Sequence, residues 1–241
     1  MLILGSASLA QAQSGTITYE EVVKFEIKLE GENAHLADLM PKENRSTKTL
    51  LFNEQASLYL VDQNAEKEEE VQEMAGGGAM VIKMQQPDEK FFYDIKNATS
   101  IEQREFMGRE FLITTPKDTI NWKLTGNQRV ILEQTCMEAV TTLNEKEVKA
   151  WFTPTIGIST GPGKYHGLPG LILALDIDKG ERTITAIKIS NEAVESSKLV
   201  KPKDGKKVSR EQFNKIVDDK MKEQGMEGGQ GGATIMIKVT K

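Results

Sequence analysis

The stretch Tyr165-His166-Gly167-Leu168-Pro169-Gly170-Leu171-Ile172-Leu173 is a stiff turn that feeds an apolar run. Pro169 fixes its own φ and holds Leu168 extended. Gly167 and Gly170 permit backbone angles, or close approaches, that a Cβ forbids. Gly161-Pro162-Gly163 lies just upstream, so the whole approach is punctuated loop. Residues 171–177 are then apolar except for Asp176. A short apolar run bounded by turn signals reads as a buried strand.

Working outward, strands dominate. Ile17, Tyr19, Val23, Phe25, Ile27 and Leu29 share one face of a period-two pattern, and Thr16, Thr18, Glu20, Lys24, Glu26 and Lys28 share the other. Residues 31–48 read as loop with a short helix near 36–40. Residues 50–52 and 57–61 read as a hairpin turning at Asn53-Glu54-Gln55. Further strands are expected at 80–84, 91–95, 101–106, 108–113, 120–124, 129–134, 147–153 and 182–190. Ser209 and Gln212 form a capping-box pattern ahead of Phe213, Ile216, Val217, Lys220 and Met221, an amphipathic helix ended by Gly225. Ile235, Ile237 and Val239 alternate as a last strand, expected to pair back onto the sheet. The fold class is therefore mainly β: an antiparallel multi-stranded curved sheet, half-barrel or sandwich, with one C-terminal helix. Nothing alternates strand with helix as a doubly wound fold does.

The chain has 241 residues, 38% of them hydrophobic and 28% charged, enough for a core with a charged surface. Its formal net charge of -5 argues against a nucleic-acid partner, which needs a basic surface. Residues 1–12 carry a short apolar core and an Ala10-Gln11-Ala12 cleavage pattern, read as a signal peptide. Residues 13–241 then form one domain with no transmembrane segment. Within it, an acidic and glycine-rich insert near 62–78 reads as a disordered loop, and residues 225–233 as a glycine-rich link.

Motifs with chemical meaning are few. Gly157-Ile158-Ser159-Thr160-Gly161 matches G-x-S-x-G, but a nucleophile elbow needs a following helix, and Pro162-Gly163 is poor helix material. Gly163-Lys164 lacks the earlier glycine and the Ser/Thr of a P-loop. His35 and His166 are the only histidines. Asp176 and Asp178 share a strand face, read as solvated. Cys136 is the single cysteine; it reads as a small buried hydrophobe, with a reactive thiol or metal ligand as the alternative. Ten methionines, Met80, Met84, Met221, Met226 and Met236 among them, raise a soft-metal alternative with Cys136. Lys198, Lys201, Lys203, Lys206, Lys207 and Arg210 form a basic run, read as a solvated loop.

Residues 167–172 spell Gly-Leu-Pro-Gly-Leu-Ile, and with this segment the chain resembles the GLPGLI family. Trp151-Phe152-Thr153-Pro154, Gly161-Pro162, and Cys136 with Ala139 resemble other elements of that family. Thr155-Ile156-Gly157 departs from it, standing where a second proline is usual. The resemblance implies an exported protein of Gram-negative cell envelopes, often encoded near TonB-dependent outer-membrane receptors. It carries over no catalytic residues. The expectation is a non-enzymatic binding or accessory protein without a cofactor, in the periplasm or at the outer membrane and not lipid-anchored. Trp151, Tyr165, His166, Gly167, Leu168, Pro169 and Gly170 would form the rim for a protein partner, such as an outer-membrane receptor, or for a small apolar ligand. The alternative is copper handling through Cys136 and the methionines, and third an enzyme of unknown class.

Overall fold

The computed structural model describes residues 14–24, 42–62, 70–74, 78–85, 89–117, 119–223 and 234–239. The expected signal peptide, the short helix near 36–40, His35, Met226 and the glycine-rich link lie outside them. β1 (Gly15–Lys24) keeps the expected alternation, with Ile17 and Tyr19 fully buried and Thr16 and Thr18 half-buried. β2 (Glu43–Phe52) and β3 (Ala56–Val61) follow as a hairpin. Its turn is held by Asn53, whose side-chain oxygen accepts from the backbone N–H groups of Gln55 and Ala56. β2 starts earlier than the loop reading of 31–48 allowed. Its polar N-terminal half earns no apolar signal, yet it pairs with β1 along its whole length.

β6 (Glu89–Asp94), β7 (Thr99–Phe106) and β8 (Arg109–Thr115) extend the meander on one side. On the other side come β9 (Lys123–Ile131), β10 (Gln134–Leu143), β11 (Lys146–Thr153), β12 (Leu171–Ile177) and β13 (Arg182–Ser190). Residues 120–124 and 129–134, read as two strands, correct to the single strand β9 and the start of β10. A short parallel strand β14 (Lys206–Val208) leads into helix α1 (Arg210–Glu223). The capping box forms: the Ser209 N–H donates to Gln212 Oε1, and the Gln212 N–H donates to Ser209 Oγ. The result is one 12-stranded open sheet in the order β14-β8-β7-β6-β3-β2-β1-β13-β12-β11-β10-β9, antiparallel apart from β14.

Two expectations change. The insert is not loop throughout, because Glu70–Met74 forms β4, paired with β5 (Gly78–Gln85). The final strand β15 (Thr234–Val239) pairs with β5 and not with the large sheet, giving a separate three-stranded sheet. The alternation in 235–239 is visible in sequence; the choice of partner is not.

In an antiparallel ladder, opposed residues share a face. By register, Ile17 and Tyr19, Leu50 and Phe52, Ser57 and Tyr59, Phe91 and Tyr93, Ile184 and Ala186, and Val148 and Ala150 lie on one face. Residues 154–170 cover the middle of this inner face, and α1 covers its β8 end, where Phe213 packs on Phe111 with ring centroids 5.3 Å apart. Leu58, Phe92, Ile101 and Leu112 point to the opposite face and are covered by Leu199 and Val194 from the β13–β14 connection. Among the described residues no helix is long and apolar enough to cross a membrane.

Candidate functional site

The segment 154–170 has no regular structure, yet Ile158, Thr160, Tyr165, His166, Leu168 and Gly170 are buried. Backbone groups at that depth need partners. The Leu171 N–H donates to Ile156 O, the Ile172 N–H to Thr160 O, and the Gly170 N–H to Leu168 O at 2.8 Å. Thr160 Oγ1 and Ser57 Oγ share a hydrogen bond of 2.6 Å, and the Tyr19 hydroxyl donates to Ile172 O at 2.7 Å. His166 stacks on Tyr93 with centroids 3.9 Å apart, and its carbonyl accepts from Trp122 Nε1. Gly170 shows why the signature has its shape. Its φ is +153°, and a Cβ there would stand 2.2 Å from Thr153 O and 2.9 Å from Pro154 Cα, both backbone.

Of the seven expected rim residues, Tyr165, His166, Leu168 and Gly170 are therefore inside the fold. They plug the inner face and present no surface. Only Gly167 and Pro169 reach solvent, with Trp151 half-buried on the opposite side of the sheet, stacked against Arg129 at 4.4 Å. Gly167 and Pro169 join Ile120, Asn121, Trp122 and Leu124 around an open depression of about 410 Å³. That depression runs onto β9, which ends the sheet with Lys123 through Val130 all exposed.

Cys136 is fully buried in β10 and its thiol donates to Gln134 O; burial pushes its pKa up despite Arg129, away from the thiolate that metal binding needs. Among the described residues no three or more His, Cys, Asp or Glu side chains are placed to hold a metal ion. Ser159 sits in irregular backbone with no helix after it, so the elbow geometry is missing. Asp178 is tied to Lys146 at 2.8 Å.

A second feature of the inner face was missed. At the strand ends not covered by the loop, Glu21 is paired with Arg182 at 2.9 Å and with Lys48 at 3.6 Å, and the Tyr59 hydroxyl donates to it at 3.5 Å. Farther along, Glu102 pairs with Arg210 and, at 3.2 Å, with Arg104, which also pairs with Glu89. Burial alone would raise the Glu21 and Glu102 carboxyls, but Arg182 and Lys48 at the first, and Arg104 and Arg210 at the second, outweigh it and hold both low. Lys164, from the loop, is exposed and feels charges from both groups, Arg182 of the first and Arg210, Glu102 and Arg104 of the second. Its signal was present in the sequence: Glu21, Lys48 and Arg182 each carry the parity of the apolar face of their own strand.

With this geometry in hand, the chain can be compared with known proteins. Residues 140–174 match a family model described as "Protein of unknown function (Porph_ging)". The matched segment runs from β10 through β11 and the plug into β12, and contains all seven expected rim residues. Comparison with curated proteins finds no match. Among solved structures, the chain is similar to PNGF-II in its P21 and C2 crystal forms, each at 17% identity with a TM-score of 0.56 over 85% of this chain. It spans about one third of PNGF-II, 33% in the first form and 32% in the second. At that identity the likeness concerns the fold alone.

Proposed function

We propose that this chain is an exported, non-enzymatic envelope protein of the GLPGLI type that docks a protein partner by strand addition at β9. One observation carries the reading: a nine-residue strand ends the large sheet with eight residues exposed, Leu124 at 51% and Val130 at 68% among them. A terminal strand offers unpaired N–H and C=O groups to an extended segment of another chain. The register says which ones. β9 turns into β10 through Leu132 and Glu133, both at positive φ, so the flanking Ile131 and Gln134 exchange hydrogen bonds. Val130 and Gln128, at the alternate non-bonded positions, direct their backbone groups outward. The depression beside Pro169 continues the edge and would seat a side chain of the added segment.

The motif at 167–172 and the match over 140–174 support the family reading. The binding reading rests on the exposed edge and on a plug that is committed to packing. A photo-crosslinking residue at Leu124, used in the native envelope, should give one discrete adduct of higher mass. Val130→Pro, which removes an outward donor, should abolish that adduct while leaving the melting temperature within a few degrees. Persistence of the adduct in Val130→Pro, or substrate turnover lost in Ser159→Ala or His166→Ala, would sink the proposal.

A further inference from the structure

We infer that the charged strip of the inner face, beside the plug and towards α1, is a binding site for a dianionic oxyanion group, a sulfate or a phosphate monoester. Among the described residues the strip holds five cations, Lys48, Lys164, Arg182, Arg104 and Arg210, against three carboxylates, Glu21, Glu89 and Glu102. That local excess of two positive charges stands out in a chain whose net charge is -5.

The charges are layered by depth. The Glu21, Glu102 and Lys48 side chains are 7%, 10% and 10% exposed, at the floor, and Glu89 is 22% exposed. Those of Arg182, Arg210 and Arg104 are 39%, 33% and 29% exposed, nearer to solvent. Carboxylates at the floor hold the guanidinium groups in place, as a preorganised anion site requires. Arg182 Nε is buried without a hydrogen-bond partner, whereas Arg104 Nε lies 3.2 Å from Glu102. Lys164 makes no ion pair with any described residue; it leans over the Tyr165 ring, 5.7 Å from its centroid. Desolvation first, and then the repulsion of Arg210 and Arg182, lower its pKa, with Glu102 opposing them. Two hydroxyls, Tyr59 and Tyr165, border the strip, and nearby Lys146 is already neutralised by Asp178 and Glu181. A dianion would cancel the excess and turn mutual repulsion into shared attraction. The inference stands apart from the β9 proposal, since the two surfaces do not share a residue.

The test is calorimetric titration of the purified chain with sodium sulfate and with sodium phosphate, against sodium chloride at matched ionic strength. Saturable binding of sulfate or phosphate, absent with chloride, is expected. Lys164→Met should weaken it about tenfold or more, the worth of a charge-assisted contact, and Lys164→Glu should abolish it. Because Lys164 bears no ion pair, the unliganded melting temperature should hold or rise in Lys164→Met. Phosphate binding should weaken as pH falls and the dianion takes up a proton, whereas sulfate binding should not. In the unmutated protein, the bound anion should also raise the Lys164 pKa, read from its Nζ resonance. No saturable binding of either anion, binding unchanged in Lys164→Glu, or an unmoved Nζ titration would overturn the inference.

Discussion

The plug and the edge strand invert the usual relation between regularity and burial. Residues 154–170 are irregular and about half of them buried, while β9 is regular and exposed along nearly its whole length. Irregular backbone at depth survives because polar groups there find specific partners: Trp122 for His166 O, Ser57 for Thr160, Tyr19 for Ile172 O. Among the described residues β9 has one ladder only, to β10, and its residues are exposed from Lys123 to Val130. Secondary structure therefore says little about which region is structural. The number of fixed partners says more.

The comparison can be broken at its hardest point first. Gly170→Val should leave the protein unfolded or cost at least about 4 kcal/mol, because the new Cβ collides with Thr153 O in backbone that cannot yield. Melting or denaturant titration would show it, and a stable Gly170→Val would mean that the plug is looser than its contacts imply. Next is Glu21→Gln, expected to cost about 3 kcal/mol by leaving Arg182 and Lys48 uncompensated. This residue also sets a pH dependence. Its folded pKa lies below the ordinary value of 4.5, so its stabilisation is present above that value and is lost as pH falls through the folded pKa. Urea titrations from neutrality into acid should show that loss, with a flatter profile in Glu21→Gln.

Smaller effects sharpen the contrast. Trp122→Phe, which removes the donor to His166 O, should cost about 1 kcal/mol. Gly126→Ala in β9 meets nothing within 4 Å and carries only the cost of φ +88°, about 1–2 kcal/mol. Two glycines at positive φ would then differ severalfold in cost through packing alone. Val130→Lys should fall within about 0.5 kcal/mol of the parent in stability, as a surface change does, whatever it does to partner binding.

What could be read from the residues follows the same division. The alternation of Ile17 and Tyr19, the apolar run at 171–177 and the Ser209/Gln212 box identify β1, β12 and α1, because each pattern is local. The stiff turn before Leu171 was also legible. Its burial was not, because Tyr165, His166 and Thr160 are residue types that ordinarily border solvent, and only long-range partners bring them in. The start of β2 escaped for the same reason, its polar residues being recruited by β1. The ion strip could have been found: a charged residue at apolar parity in three separate strands is a sequence-level signal, overlooked because each instance looks like a defect when read alone.

One consequence of the strand order concerns when the molecule can become whole. β1 sits between β2 and β13, so it joins a meander built from the first half of the chain to one built from the second. Its Tyr19 hydroxyl reaches Ile172 across 153 residues of sequence. Each meander can assemble from near neighbours, but the seam between them forms only after β13 has been synthesised, and closing so long a loop is slow. Until then β1 has one free side. β13 is made after every other strand of the large sheet except β14, and it is the strand that locks β1 in place.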